Sequence, residues 1–149
     1  MTEGPADDSK PIDAEGFDAL ERATGIDGFT LDEDSRHRVE WSLFWARTSQ
    51  AKKEKTDIAN LIVELAVQYA RAANRSVLAK DEAKPAPTPS FSAFVSKAVG
   101  FVPEAGPLSD ADLDQHVRKA LATAKRQKDD PKSKMPPDRR DELNLALAK

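Results

Sequence analysis

Between Gly28 and Pro85 the chain contains neither glycine nor proline. The two residues that disfavour a helix interior most, by ~1 and ~3 kcal/mol relative to alanine, are thus missing from a run of more than fifty residues. Nothing in the backbone chemistry of such a run requires a helix to be interrupted. Its later part is strongly periodic. Ile58, Leu61, Ile62, Leu65, Ala66, Tyr69, Ala72 and Ala73 follow the i, i+3, i+4, i+7 series, and Val63, Val67 and Ala70 widen the face. A helix with so broad an apolar surface has to be covered by several neighbours or by another chain.

The earlier part opens with Thr30-Leu31-Asp32-Glu33, a capping-box pattern in which the Thr30 hydroxyl accepts the Glu33 amide; it predicts a helix start near residue 31. Val39, Leu43 and Ala46 form one stripe, with Trp41, Phe44, Trp45 and Thr48 beside it and Arg36, Arg38, Glu40 and Arg47 around it. Ser49 to Asp57 lacks any large apolar residue. As a turn, this stretch folds the two parts into an αα-hairpin over about residues 31–79, which is the preferred reading. As a bridge, it gives one helix of about 45 residues, ~68 Å at 1.5 Å per residue, which favours a partner subunit.

The rest of the chain is leaner. Of 149 residues 39% are hydrophobic, but 23 of these are alanine, so one small core is the most that can be built. Residues 1–14 are acidic and aperiodic and read as a disordered arm; residues 1–34 together carry a balance of -9 within a net charge of only -3. Phe17, Leu20 and Ala23 suggest a short helix stopped by Gly25. Lys80 to Ser90, with Pro85, Pro87 and Pro89, reads as a Pro-rich linker and domain boundary. Ser90 then caps a short helix that gathers Phe91, Phe94, Val95, Ala98 and Val99 on one face, ended by Gly100. Ser109 caps the next helix, with Asp110 and Asp112 in its first turn and a staple from Leu108 to Leu113; Pro137 begins the last, which carries Leu143, Ala146 and Leu147. The fold class is therefore all-α: a small helical bundle built on a hairpin domain at 15–79, tied by the 80–90 linker to three C-terminal helices within 91–149.

Several functions are disfavoured by what is missing. There is no cysteine, no basic-then-apolar leader in the opening residues and no run of ~18 apolar residues, so the expectation is a cytoplasmic protein with no membrane association. His37 and Glu40 share a helical face at i, i+3, but no second His-acid pair accompanies them, and a surface pair explains them. Asp110, Asp112 and Asp114 mimic a calcium loop, yet Gln115 and Leu121 occupy the glycine and glutamate positions, so helix capping accounts for the acids. Without a nucleophile elbow or phosphate loop, the expectation is a non-enzymatic protein with no metal and no cofactor.

Two functional surfaces stand out. Trp41, Phe44 and Trp45, flanked by Arg38, have the composition of a protein-binding hot spot; equally, rings so scarce in the chain suit its core. Phe91, Phe94 and Val95 behind a proline-rich tether either dock within the chain or enter a partner's groove. Together they point to a regulatory or accessory module acting on a protein partner or on a second copy of itself. The alternative is a nucleic-acid-associated regulator using Lys125, Arg126, Lys128, Lys132, Lys134, Arg139 and Arg140, although Asp129, Asp130 and Asp138 are interleaved with them and no aromatic residue lies among them to stack on bases.

Overall fold

The computed structural model describes residues 12–51, 57–79, 86–102 and 108–148, and among them it contains six helices and no strand. They are α1 (Ala14–Ala23), α2 (Glu33–Ala51), α3 (Asp57–Ala73), α4 (Pro89–Val99), α5 (Asp110–Asp129) and α6 (Pro137–Ala146). The strongly periodic stripe makes α3 the central helix. Ile58, Leu61, Ile62, Leu65, Ala66, Val67, Tyr69 and Ala70 are all buried, and α3 packs against α2, α4, α5 and α6. The breadth of its apolar face is thus covered by four other helices of the same chain.

Helices α2 and α3 lie side by side. Asp34 pairs with Arg71 at 3.3 Å and Arg38 with Glu64 at 3.1 Å, so residue numbers rise along one helix as they fall along the other. A continuous helix would hold residues 34 and 71 about 55 Å apart, which excludes the single long rod. Residues 52–56, and with them the turn of the expected hairpin, lie outside the described residues.

Two helix starts differ from the sequence expectation, each by two residues. The cap of α2 is Asp32, whose carboxylate accepts the Ser35 amide at 2.7 Å; that hydrogen bond holds the Asp32 carboxyl below its usual range. Thr30 instead turns toward α1, where Glu21 Oε2 accepts its hydroxyl at 3.4 Å, the Leu31 amide at 2.7 Å and Arg36 at 3.1 Å. The cap of α4 is Thr88, accepting from the Phe91 amide, because Pro89 sits in the first turn, where its missing N–H is no loss. Ser90 is released for another task. Its hydroxyl accepts from Tyr69 at 3.0 Å and donates to the Thr24 carbonyl at 2.6 Å, joining α3, α4 and the end of α1. Ser109 and Pro137 open α5 and α6 as expected, and Gly25, at φ +70°, follows the end of α1.

One core runs through all six helices. At its centre Phe29, Tyr69, Phe91 and Phe94 pack with ring centroids 5.4 to 6.4 Å apart. The stretch after α3 is stitched to the stretch before α4 by Ala79 N–H to the Ala86 carbonyl and Thr88 N–H to the Val77 carbonyl, both 2.8 Å, and to the end of α6 by Val77 N–H to the Ala146 carbonyl at 2.9 Å. The core cluster takes residues from both sides of the expected 80–90 boundary; residues 80–85 lie outside the described residues. Of the acidic arm expected over 1–14, residues 12–14 are ordered: Ile12 is buried and Asp13 caps α1. Gly16 faces them closely, since a Cβ there would meet Ile12 at 2.7 Å and the Phe101 ring at 3.1 Å.

Candidate functional site

Helix α2 divides its apolar residues between two sides. Val39, Leu43 and Ala46 are buried against the bundle, whereas Trp41, Phe44 and Trp45 remain 48%, 37% and 55% exposed. The reading of these rings as core is overturned. Residues advance about 100° each around a helix, so Trp41 and Trp45 stand about 200° from Val39 and Leu43 and point away from the core. The rings cover one another instead. Trp41 and Trp45 stack at 6.3 Å, and Phe44 meets both edge-on at 5.7 and 5.5 Å. Trp41 Nε1–H donates to Nε2 of His37 at 2.9 Å.

At ~150–250 Å² for an aromatic side chain, the exposed fractions sum to roughly 300 Å², the size at which an apolar patch on a monomer is often functional. Beside it opens a cleft of about 500 Å³ between α2, α3, α5, α6 and the 130–136 loop. Its apolar lining includes Ala46, Leu61, Ala124, Met135 and Leu143, and Trp45 belongs to both patch and cleft.

One wall of the cleft carries Glu64 and Arg139, members of a closed ring of four charges. Arg38 binds Glu142 at 2.6 Å and Glu64 at 3.1 Å, and Arg139 returns to Glu64 at 3.2 Å and Glu142 at 3.3 Å. Gln68, fully buried, adds a hydrogen bond to Glu64 at 2.6 Å. The Arg38 hydrogen bond holds the Glu142 carboxyl below its ordinary range, and the same contact raises Arg38. These charges neutralise each other and tie α6 to α2 and α3. Nothing local in the sequence announced the ring, because its members are as much as 104 residues apart.

The predicted binding residues therefore separate. Phe91, Phe94 and Val95 are fully buried: the 91–102 segment docks within the chain, so these three are core residues and not a partner surface. Arg38 is committed to the ring and is a structural residue. Only Trp41, Phe44 and Trp45 of that set face outward. The seven bases are likewise divided. Lys125 and Lys128 pair with Asp129, holding its carboxyl below the usual range, chiefly through the Lys128 hydrogen bond. Arg139 is in the charge ring and Arg140 is half-buried, leaving Arg126, Lys132 and Lys134 exposed. Among the described residues no cluster of acids and histidines could hold a metal ion, and no helix is long and apolar enough to cross a membrane.

In comparisons with known proteins, no family model, no curated protein and no solved structure matches this chain.

Proposed function

We propose that the protein is a non-enzymatic helical interaction module that binds a protein partner through Trp41, Phe44 and Trp45 and the adjoining cleft. A single observation carries this reading: three mutually packed rings stay exposed on a helix whose opposite side is buried in the core, whereas among the other described residues Leu145 alone is a large apolar residue left exposed. Tryptophan beside a concave site is the composition in which binding energy concentrates. The charge pairing of Lys125, Lys128 and Arg139 lowers the support for the nucleic-acid reading, since those groups are already partnered.

Self-association through the patch alone has less support than a separate partner. Two such patches face to face bury roughly 600 Å² in total, half of the ~1,200 Å² at which stable interfaces begin. The test is site-specific crosslinking in the native host, with a photo-reactive amino acid replacing Phe44 in one version of the full chain and exposed Lys119 in another. A defined protein adduct at 44 and none at 119 is the expected result. Equal adducts at both positions, or none at either, overturns the proposal.

A further inference from the structure

We infer that α6 is a latched wall of the cleft: the four-charge ring holds it closed, and it opens as a unit while the rest of the bundle stays folded. The inference goes beyond the interaction-module reading and does not depend on it. Apolar burial holds α6 only lightly. The helix spans ten residues and, with Leu147 just beyond it, buries Leu143 and Ala146, whereas α3 buries eight apolar residues. Leu145 points outward. The N-cap position is Pro136, whose side chain accepts no hydrogen bond, and a helix this short is marginal by itself, so α6 unfolds when it undocks. Its docked state also carries a penalty. Arg140 Nε is shut away from solvent without a hydrogen-bond partner among the described residues, and a buried N–H that loses water and finds no acceptor opposes burial.

Polar contacts supply the rest, at two places. Near the start of α6, Arg139 and Glu142 complete the ring with Arg38 of α2 and Glu64 of α3, over 2.6 to 3.3 Å. At its end the Ala146 carbonyl accepts the Val77 amide and the Ser76 hydroxyl, both at 2.9 Å. The ring is the stronger tie, because each guanidinium meets two carboxylates and ionic hydrogen bonds are about twice as strong as neutral ones. It is also the tie open to competition. Its side chains keep 14% to 29% of their surface exposed, so dissolved ions reach and screen them. Opening has a defined consequence for the cleft. Arg139 and Leu143 come from α6, so its departure removes one wall and uncovers the side of α3 that carries Glu64. The cleft then continues toward Arg38, which lies one helical turn before Trp41 on α2.

The experiment is hydrogen exchange of the full chain, read by mass spectrometry in increasing but sub-denaturing urea. Amides of residues 140–147 should exchange at least about a hundredfold faster than those of residues 62–73 and 91–99, and with little dependence on urea, since their opening exposes little surface. Raising salt from about 50 to about 500 mM should accelerate exchange in α6 severalfold, and Arg38→Gln should accelerate it about tenfold. Arg38→Lys, which keeps the charge without the planar fork, should fall between. The salt comparison uses the wild type alone and decides the matter if a variant does not fold. If α6 shares the protection and the urea dependence of α3 and α4, the bundle is one cooperative unit and the inference is overturned. Exchange in α6 that is indifferent to both salt and Arg38→Gln overturns it as well, because the ring is then no latch.

Discussion

Phe94→Ala is the perturbation whose cost the packing defines best. The ring has no exposed surface and sits 5.7 Å from both Phe29 and Tyr69 and 6.4 Å from Phe91. Truncation of a buried phenylalanine costs ~3–5 kcal/mol through lost transfer energy and the cavity left behind. Three ring contacts, each ~0.5–1.5 kcal/mol but overlapping with that burial, place this site in the upper half of the range. A loss of about 4 kcal/mol takes a large share of the ~5–15 kcal/mol typical of a domain. With a slope of ~2 kcal/mol per M, the urea midpoint falls by about 2 M. Far-UV circular dichroism is the appropriate readout, since both tryptophans lie on the outer side of α2 and report the core poorly. Phe94→Leu, which keeps most of the volume, should lose about 1 kcal/mol and keep the quantity measurable if the alanine variant does not fold. Trp45→Ala, more than half exposed, should cost about 1 kcal/mol as well. If Phe94→Ala costs no more than Trp45→Ala, the division of the aromatic residues between core and surface is wrong.

Three further outcomes follow from single contacts. Asp32→Ala should destabilise the protein more than Thr30→Ala does, in thermal or urea unfolding, because Asp32 is the cap of α2. The Glu142 carboxyl titrates lower in the folded chain than in the unfolded one, so its stabilisation is complete above the unfolded carboxylate range and is lost as pH falls through the folded value; unfolding midpoints should decline with acid more steeply in the wild type than in Glu142→Gln. His37→Ala removes the acceptor of the Trp41 indole N–H, so its tryptophan emission should differ from that of the wild type while its stability, measured by urea unfolding, changes by no more than about 0.5 kcal/mol.

The helices were legible in the sequence where one period dominates. The α3 stripe, the Ser109 start of α5 and the Pro137 start of α6 each depend on neighbouring residues and local chemistry, and each forms as read. The cap positions of α2 and α4 were not legible in the same way, because a distant group decides them: Glu21 draws Thr30 and Leu31 away, and Tyr69 and the Thr24 carbonyl engage Ser90. Sorting the aromatic residues into inside and outside is the larger difference. The signal was present in α2, where Val39, Leu43 and Ala46 keep the helical period and Trp41 and Trp45 fall on the opposite side. Ring size argued for burial, but Val39, Leu43 and Ala46 fill the side of α2 turned toward the bundle and the tryptophans were left outside. Phe91 and Phe94 went inward because the short pairing of residues 77–79 with 86–88 returns α4 onto the core. The cleft and the four-charge ring, built from three or more distant segments, have no local signature at all.

The most direct test of the exposed aromatic surface as the functional one is partner capture by the full chain carrying Trp41→Ala and Trp45→Ala together. Immobilised wild type and double variant are compared for retention of the protein crosslinked at residue 44, with helicity and urea midpoint measured on the same preparations. The account predicts a double variant that stays folded, losing no more than about 2 kcal/mol, while its capture falls at least about tenfold. A folded double variant that captures the partner as well as the wild type does contradicts it.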